Sequence, residues 1–130
     1  MPKVVIVGGG FAGLSVARGL ARERDVEITL LDERNYHLFQ PLLYQVAMAV
    51  LSPAEIAAPI RSLLSRNPKA SVRREKATAV DLAQRLVITD KGSHAYDYLI
   101  LACGVRHTYF GNERWEKDAP GLKTVEQALE

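Results

Sequence analysis

Three glycines near the start of the chain have the spacing of a turn that binds a pyrophosphate. Gly8, Gly10 and Gly13 form the pattern G-x-G-x-x-G, which joins a strand to a helix in dinucleotide-binding folds. Gly8 permits the tight turn, Gly10 lets phosphates approach the backbone, and Gly13 allows the helix to pack closely on the sheet. The helix N-terminus offers unpaired N–H groups and the positive end of its dipole to an anion. The spacing therefore predicts a nucleotide-binding turn.

An acidic residue follows at the distance that this chemistry requires. Asp32 lies nineteen residues after Gly13, where such folds place a carboxylate that accepts hydrogen bonds from a ribose. Arg34 is close enough in sequence to meet a 2′-phosphate, but Asp32 would repel one. We therefore expect an unphosphorylated adenosine ribose. A glycine turn with a purely structural role is the alternative interpretation.

The elements around the turn have the order of a parallel α/β unit. Apolar residues at 4–7 predict a buried strand, and an amphipathic helix is expected to begin at Ala12. The predicted packing face of this helix consists of Ala12, Val16, Gly19 and Leu20. A second strand over 26–31 ends at Asp32.

A helix is predicted over residues 53–66. Ser52 can cap it, Pro53 suits its first position, and Glu55 completes a capping box. Pro59 is expected to tighten or kink the helix, because a proline inside a helix lacks the N–H of the regular bond.

The pattern then changes to short strands. Alternation predicts extended segments over 72–81 and 85–89, and a turn at 90–92 leads to a further segment. We interpret these as a small antiparallel meander inserted between parallel elements. The continuous apolar run at 98–102 is typical of a central parallel strand. The predicted fold class is α/β, a Rossmann-like parallel sheet with a glycine turn and an inserted antiparallel β-meander.

Composition argues against several other classes. The chain has 130 residues, a formal net charge of +2 and one cysteine; without a basic block, we expect no nucleic-acid partner. Cys103 has no partner for a disulfide or a C-x-x-C pair, and we expect an inert, buried thiol. The histidines lack metal-ligand spacing, so no metal is expected. The single cysteine favours a reducing compartment. A cytoplasmic location is expected, because Met1 leaves no room for a signal peptide before the first strand.

The last residues predict a boundary. Residues 119–122 have the composition of a linker, and Thr124 with Gln127 forms a second capping box. The helix that opens there has too few residues to be stable alone, which predicts a fragment boundary. We expect residues 1–118 to form the N-terminal part of one domain, and residues 119–130 to form a linker and the start of a truncated helix.

Several longer motifs resemble those of one known family. They are NYHLFQPLLYQVA at 35–47, LSP at 51–53, DYLILA at 97–102 continuing to Gly104, YFG at 109–111 and APGLKT at 119–124. Together they resemble the N-terminal FAD-binding part of type II NADH dehydrogenases, within the FAD-dependent pyridine nucleotide oxidoreductase superfamily. The likeness covers essentially the whole chain, and the motif at 35–47 is more specific than the glycine turn.

The resemblance implies a set of FAD-binding residues. Those implied at the pyrophosphate are Gly8, Gly10, Phe11, Ala12 and Gly13. Those implied at or beside the adenosine are Asp32, Glu33, Arg34 and the backbone of Ala77, which is expected at the end of the first meander strand. Those implied near the flavin end are Pro41, Leu42, Leu43 and Tyr44. The turn Ala102-Cys103-Gly104 would also lie near the cofactor, with a cysteine where the family usually has threonine. A thiol is a weaker hydrogen-bond donor than a hydroxyl.

The resemblance also implies an activity for the full-length protein. It would be an FAD-dependent NADH dehydrogenase, passing hydride from NADH to FAD and electrons on to a quinone. A second domain, which follows residue 130 in the family, would bind NADH, and a C-terminal region would attach the protein peripherally to the cytoplasmic face of the inner membrane. We expect this chain alone to be inactive, and we assign no catalytic acid or base to it.

Two alternatives stay open at this point. A reductase of the same fold could use another donor or acceptor, such as a sulfide:quinone or ferredoxin reductase. A non-enzymatic nucleotide-binding module is the other alternative. Association into a homodimer through an exposed sheet edge is a further expectation.

Overall fold

The computed structural model describes all 130 residues. The strands are β1 (Lys3–Val7), β2 (Glu27–Asp32), β3 (Tyr36–Leu38), β4 (Ala57–Pro59), β5 (Ala70–Arg74), β6 (Ala77–Asp81), β7 (Leu86–Thr89), β8 (Gly92–Ala95) and β9 (Tyr98–Leu101). The α-helices are α1 (Phe11–Leu20), α2 (Leu43–Ala47), α3 (Pro53–Ile56), α4 (Ile60–Leu63) and α5 (Val125–Leu129). Short 3-10 helices span Gln40–Leu42 and Glu113–Lys117.

The chain divides into two units, which are described separately. The first unit comprises Met1–His37 and Pro59–Gly104, and the second comprises Leu38–Ala58 and Val105–Glu130. The glycine turn, both predicted strands beside it and the meander all belong to the first unit.

A parallel sheet organises the first unit. Its four strands lie in the order β5-β2-β1-β9, and Val5 of β1 pairs with Thr29 on one side and Leu99 on the other. Alternate residues of β1 point to opposite faces. Val4 and Ile6 pack in a cluster that also contains residues of α1 and α4. The Rossmann-like parallel sheet predicted from the sequence is confirmed.

The other face of the sheet is covered by the predicted meander, which is also confirmed. Strands β6, β7 and β8 form a three-stranded antiparallel sheet. Val87 of its central strand is fully buried against Val5, Val7 and Leu31. The apolar core of the first unit therefore lies on both faces of β1.

The strand predicted over 72–81 is two strands, so this prediction is wrong in detail. The first part, β5, pairs with β2 as far as Asp32 and Arg74. Because β2 ends there, the chain leaves the parallel sheet, and the next residues begin β6 of the meander. Ala77 is consequently the first residue of the first meander strand, and not its last.

The apolar strand β9 lies at the edge of the sheet, and the expectation of a central position is wrong. It pairs with β1 alone. Tyr98 and Leu101 are therefore 64% and 65% exposed. An apolar run indicates the type of strand, but it does not state how many neighbours the strand has.

The helix predicted over 53–66 is broken at Pro59. Helix α3 ends at Ile56, residues Ala57–Pro59 are extended, and α4 begins at Ile60. Proline disfavours the helical conformation of the residue before it and lacks an N–H group. The predicted helix start is retained, since the Ser52 N–H donates to Glu55 Oε2 at 2.6 Å.

The packing face of α1 agrees with the predicted one in part. Val16 and Leu20 pack against the apolar cluster as predicted. Gly13, Leu14 and Ala17 are also buried, whereas the predicted Ala12 and Gly19 are exposed. The close approach of Gly13 to the strand-to-helix turn sets the rotation of the helix, and the pattern of apolar residues alone did not include this constraint.

The second unit has its own small apolar cluster. Its buried members are Leu43, Val46, Ile56 and Ala128. Helix α5 begins with the predicted capping box, because the Gln127 N–H donates to Thr124 Oγ1 at 3.2 Å and the Thr124 N–H donates to Gln127 Oε1 at 3.3 Å. No helix in the structure is both long and apolar enough to cross a membrane.

Candidate dinucleotide-binding site

Two glycines of the turn are required by backbone contacts. Gly8 has a φ of +107°, and a Cβ at this position would collide with the carbonyl group of Ala102. A Cβ at Gly13 would collide with the carbonyl oxygen of Gly8. The strand-to-helix turn and the adjacent loop after β9 are therefore packed backbone against backbone.

Gly10 differs, because the protein itself does not need a glycine there. Its φ is −75°, which any residue can adopt, and a Cβ would have no atom within 4 Å. The open space lies at the N-terminus of α1, which has no side-chain cap and no acidic residue in its first turn. Such a terminus favours an anion through its N–H groups and its dipole. The turn therefore fits a pyrophosphate.

Asp32 is held beside the turn by two backbone N–H groups. Its Oδ2 accepts from Gly9 at 2.6 Å and its Oδ1 accepts from Arg34 at 2.7 Å. An ionised carboxylate has about four acceptor sites, so two remain for ribose hydroxyls. The structure thus brings Asp32 to the glycine turn, as the sequence spacing predicts.

Gly9 and His37 belong to the same region but were not predicted. Gly9 is buried, and a Cβ there would press on Ile60 and lie 3.1 Å from Asp32 Oδ2. His37 Nδ1 donates to the Gly9 carbonyl at 2.9 Å, and its ring lies edge-on to Phe11 with centroids 5.1 Å apart. The position of His37 in the specific motif at 35–47 was the available signal.

The residues predicted beside the adenosine lie near the ends of β2 and β5. Glu33 is exposed, with its Oε2 4.0 Å from Lys76 Nζ. The guanidinium of Arg34 lies over the Tyr36 ring, 5.8 Å from its centroid, in a cation–π arrangement. Ala77 begins β6 within the first unit.

The turn after β9 lies against β1. The Ala102 N–H donates to the Val7 carbonyl at 2.7 Å, and Cys103 Sγ is 3.8 Å from the same oxygen. Gly104 has a φ of +75°. Cys103 is exposed, and the expectation of a buried thiol is wrong, because β9 ends at Leu101 and Cys103 lies beyond the sheet.

The four residues predicted near the flavin end, Pro41, Leu42, Leu43 and Tyr44, belong to the second unit. The Leu43 side chain is buried in the apolar cluster of that unit. Tyr44 is 49% exposed, and its hydroxyl accepts from Gln45 Nε2 at 2.9 Å. Pro41 is exposed and Leu42 is half-buried, so Leu43 is the one of the four whose side chain is fully enclosed.

Glu75 is the residue of the first unit with a resolved electrostatic perturbation. Hydrogen bonds from His94 and then Thr89 lower the pKa of Glu75 below its ordinary value of 4.5. Burial opposes this shift without reversing it. Glu75 is therefore held as a carboxylate close to the ends of β2 and β5.

Comparison with known proteins supplies the family. The family model of the pyridine nucleotide-disulphide oxidoreductases matches residues 2–130. The chain belongs to this family. Its members are oxidoreductases, so the predicted family is confirmed.

Three similar proteins define the relationship of this pyridine nucleotide-disulphide oxidoreductase chain. It is 43% identical, over 98% of its residues, to a type II NADH:quinone oxidoreductase of Mycobacterium tuberculosis, and covers 28% of that protein. The structure of the sulfide:quinone oxidoreductase from Aquifex aeolicus matches with a TM-score of 0.87 and 29% identity. The match covers 99% of this chain and 30% of the Aquifex chain. The structure of NDH2 from Plasmodium falciparum in complex with NADH matches with a TM-score of 0.86 and 26% identity. This match covers 98% of this chain and 27% of the NDH2 chain. The chain thus spans less than a third of the length of these proteins.

Proposed function

We propose that this chain is the FAD-binding portion of a flavoprotein that passes hydride from NADH to FAD and electrons on to a quinone. The observation that carries the proposal is the open, uncapped N-terminus of α1 at Gly10, with Asp32 held beside it. The identity of 43% to a type II NADH:quinone oxidoreductase supports this donor and acceptor within the family.

The chain's own contribution would be to bind and orient the cofactor. Bound FAD would supply the ring that accepts hydride, whereas protein groups provide position and electrostatics. Gly10, with the N–H groups of Phe11, Ala12 and Gly13, would hold the pyrophosphate. The free acceptor sites of Asp32 would bind the ribose hydroxyls.

The remaining predicted contacts keep the roles that the resemblance implies. Those around the adenosine would be Glu33, Arg34 and the backbone of Ala77, and those near the flavin end would be Pro41, Leu42, Leu43 and Tyr44. The turn formed by Ala102, Cys103 and Gly104 would also lie near the cofactor. Leu43 could contribute only through its backbone, since its side chain is buried.

The other parts of this function would come from further segments of the full-length protein. We place the N-terminal part of the FAD-binding domain at residues 1–118, and a linker towards an NADH-binding domain at 119–130. NADH and a quinone would be the partners, with peripheral attachment to the cytoplasmic face of the inner membrane. Association into a homodimer also stays a proposal.

A second candidate keeps the fold and changes the electron donor. The structural similarity to the Aquifex aeolicus sulfide:quinone oxidoreductase is as high as that to NDH2. Sulfide in place of NADH is therefore the alternative that the comparisons favour. Direct measurement of the donor separates the two.

The test uses the full-length protein that contains this chain. We expect a stoichiometric flavin spectrum and quinone reduction that depends on NADH; reduction with sulfide alone would support the second candidate. FAD binding without quinone reduction by either donor would contradict both candidates, and it would leave a reductase with another acceptor or a non-enzymatic module.

A matched pair of glycine substitutions tests the binding site itself. A Cβ meets nothing within 4 Å at either Gly10 or Gly19, so both alanine variants should fold. Gly10→Ala should weaken FAD binding about tenfold or more, because a methyl group forced into a packed contact costs about 1–3 kcal/mol. Gly19→Ala, on the same helix, should bind FAD as the parent does. Equal affinity of both variants would contradict the proposed position of the pyrophosphate.

A further inference from the structure

A partly buried polar cluster joins the meander to the parallel sheet. Glu75 Oε2 accepts a hydrogen bond from Thr89 Oγ1 at 2.7 Å, and His94 Nε2 lies 2.7 Å from the same oxygen. Because a carboxylate can only accept, His94 Nε2 carries the proton of this bond. The side chains of Glu75 and His94 are only 12% and 24% exposed, and Thr89 is buried. The cluster therefore ties Glu75 to both β7 and β8.

The backbone of Glu75 makes a second connection, to the residue predicted to bind ribose. Its N–H donates to the Asp32 carbonyl oxygen at 2.9 Å. Two residues on, Ala77 pairs with Thr89 in the register of β6 and β7. Glu75 thus lies between Asp32 and Ala77, and its side chain fixes the segment that links them.

The neighbouring residue strengthens the same connection. The Lys76 N–H donates to Asp90 Oδ1 at 2.9 Å, and the Asp90 N–H donates to the Lys76 carbonyl at 3.1 Å. The segment between β5 and β6 is therefore held to the end of β7 by side-chain and backbone bonds together. Networks whose members are all hydrogen-bonded give rigidity beyond that of single bonds.

We propose that Glu75 is a positioning residue for the adenosine end of the nucleotide site, acting through Asp32 and Ala77. The proposal rests on the proposed function, since it assigns the ribose to Asp32 and the adenine to Ala77. In this role Glu75 would act without touching the nucleotide. Thr89 and His94 hold its carboxylate, and its backbone holds the end of β2.

The test is the affinity for ADP, which contains the adenosine and the pyrophosphate but no flavin. ADP is titrated calorimetrically into the full-length protein after removal of bound flavin, at a temperature where circular dichroism shows each variant folded. Under that condition a loss of stability alone does not lower the affinity. Glu75→Ala and Thr89→Val remove members of the cluster, Thr89→Ser retains the hydroxyl, and Ser93→Ala changes an exposed neighbour of His94.

We expect Glu75→Ala and Thr89→Val to weaken ADP binding by a factor of about 3 to 10, which is about the free energy of a single hydrogen bond, because both substitutions loosen the segment that positions the site without removing a contact with ADP. Thr89→Ser and Ser93→Ala should stay within about twofold of the parent. A folded Thr89→Val variant that binds ADP as tightly as the parent would overturn the proposal. If Glu75→Ala does not fold, Thr89→Val alone provides the test. A parent protein that binds no ADP would overturn the proposed function, and with it this inference.

Discussion

The inner and outer sides of the glycine turn contain the same residue type for different reasons. On the inner side, Gly8 and Gly13 have no room for a Cβ, because backbone carbonyl groups occupy the space. On the outer side, Gly10 has nothing within 4 Å of a Cβ. The inner glycines are therefore required for folding, whereas the outer one keeps space free in front of the helix N-terminus.

This difference separates stability from binding within one short motif. The G-x-G-x-x-G spacing marks all three positions alike, and only the structure shows which of them the fold requires. A residue that folding does not require, in a site with uncapped N–H groups, is most simply explained by a ligand. Substitutions on the two sides should consequently change different measurements.

The largest effect is expected on the inner side, from Gly13→Ala. The new methyl group would collide with the Gly8 carbonyl oxygen, and α1 would have to move away from the sheet. The free energy of unfolding should fall by about 3 kcal/mol or more, at the upper end for overpacked sites. Urea denaturation measures it, with Gly19→Ala as the control on the same helix. An unchanged denaturation midpoint would show that the inner glycines are not needed for packing.

A smaller effect is expected from Asp32→Asn, which tests how the turn is held. Both Asp32 oxygens accept backbone N–H groups, from Gly9 and Arg34. An amide can accept only one of them and presents its own N–H₂ to the other. We expect a loss of about 2 kcal/mol in stability, the usual range for a buried donor left without a partner. Asp25→Asn, at an exposed position, is the control, and equal melting temperatures for the two variants would contradict the role of Asp32.

Features of the site that follow a known spacing could be predicted from the sequence. The glycine turn and the acid at Asp32 have such a spacing, although their contacts are distant in the chain, since Gly8 meets Ala102 and Asp32 accepts from Gly9. The capping boxes at Ser52 and Thr124 depend on single hydrogen bonds between residues close in sequence. These parts of the prediction agree with the structure, whereas the cofactor contacts themselves stay predictions.

The wrong predictions concern features that depend on distant partners. Alternation at 72–81 predicted an extended segment, but it could not show that the partner strand ends at Asp32. The exposure of Leu101 likewise depends on how many strands lie beside β9, and that of Cys103 depends on where β9 ends. The role of Glu75 required Thr89 and His94, fourteen and nineteen residues away, and no spacing rule connects them.

The stability contributed by Glu75, which is bonded to the end of β2 behind the glycine turn, should depend on pH. Hydrogen bonds from His94 and Thr89, with smaller charge effects of His94 and then Arg73, lower the pKa of Glu75 below its ordinary value of 4.5. A carboxyl group with a lowered pKa in the folded state stabilises above its unfolded pKa, and this contribution is lost as the pH falls through the folded value. Glu75→Gln should cost about 1.5 kcal/mol at pH 7, and the difference from the parent should shrink below pH 4.5. Thermal denaturation of both proteins between about pH 3 and pH 7 measures this stability difference. A difference that stays constant over this range would contradict the role of the Glu75 carboxylate.

The smallest effect, and one of opposite sign, is expected from Gly19→Ala. Gly19 lies in the last turn of α1, is exposed, and has no atom within 4 Å of a Cβ. Alanine restricts the unfolded chain and favours the helix, so stability should rise by about 0.5–1 kcal/mol. Gly13→Ala adds the same methyl group to the same helix and should destabilise strongly. If both variants changed stability in the same direction, helix propensity rather than the contact with Gly8 would determine the effect of a methyl group on α1. The distinction between glycines that packing requires and glycines that it does not require would then be wrong.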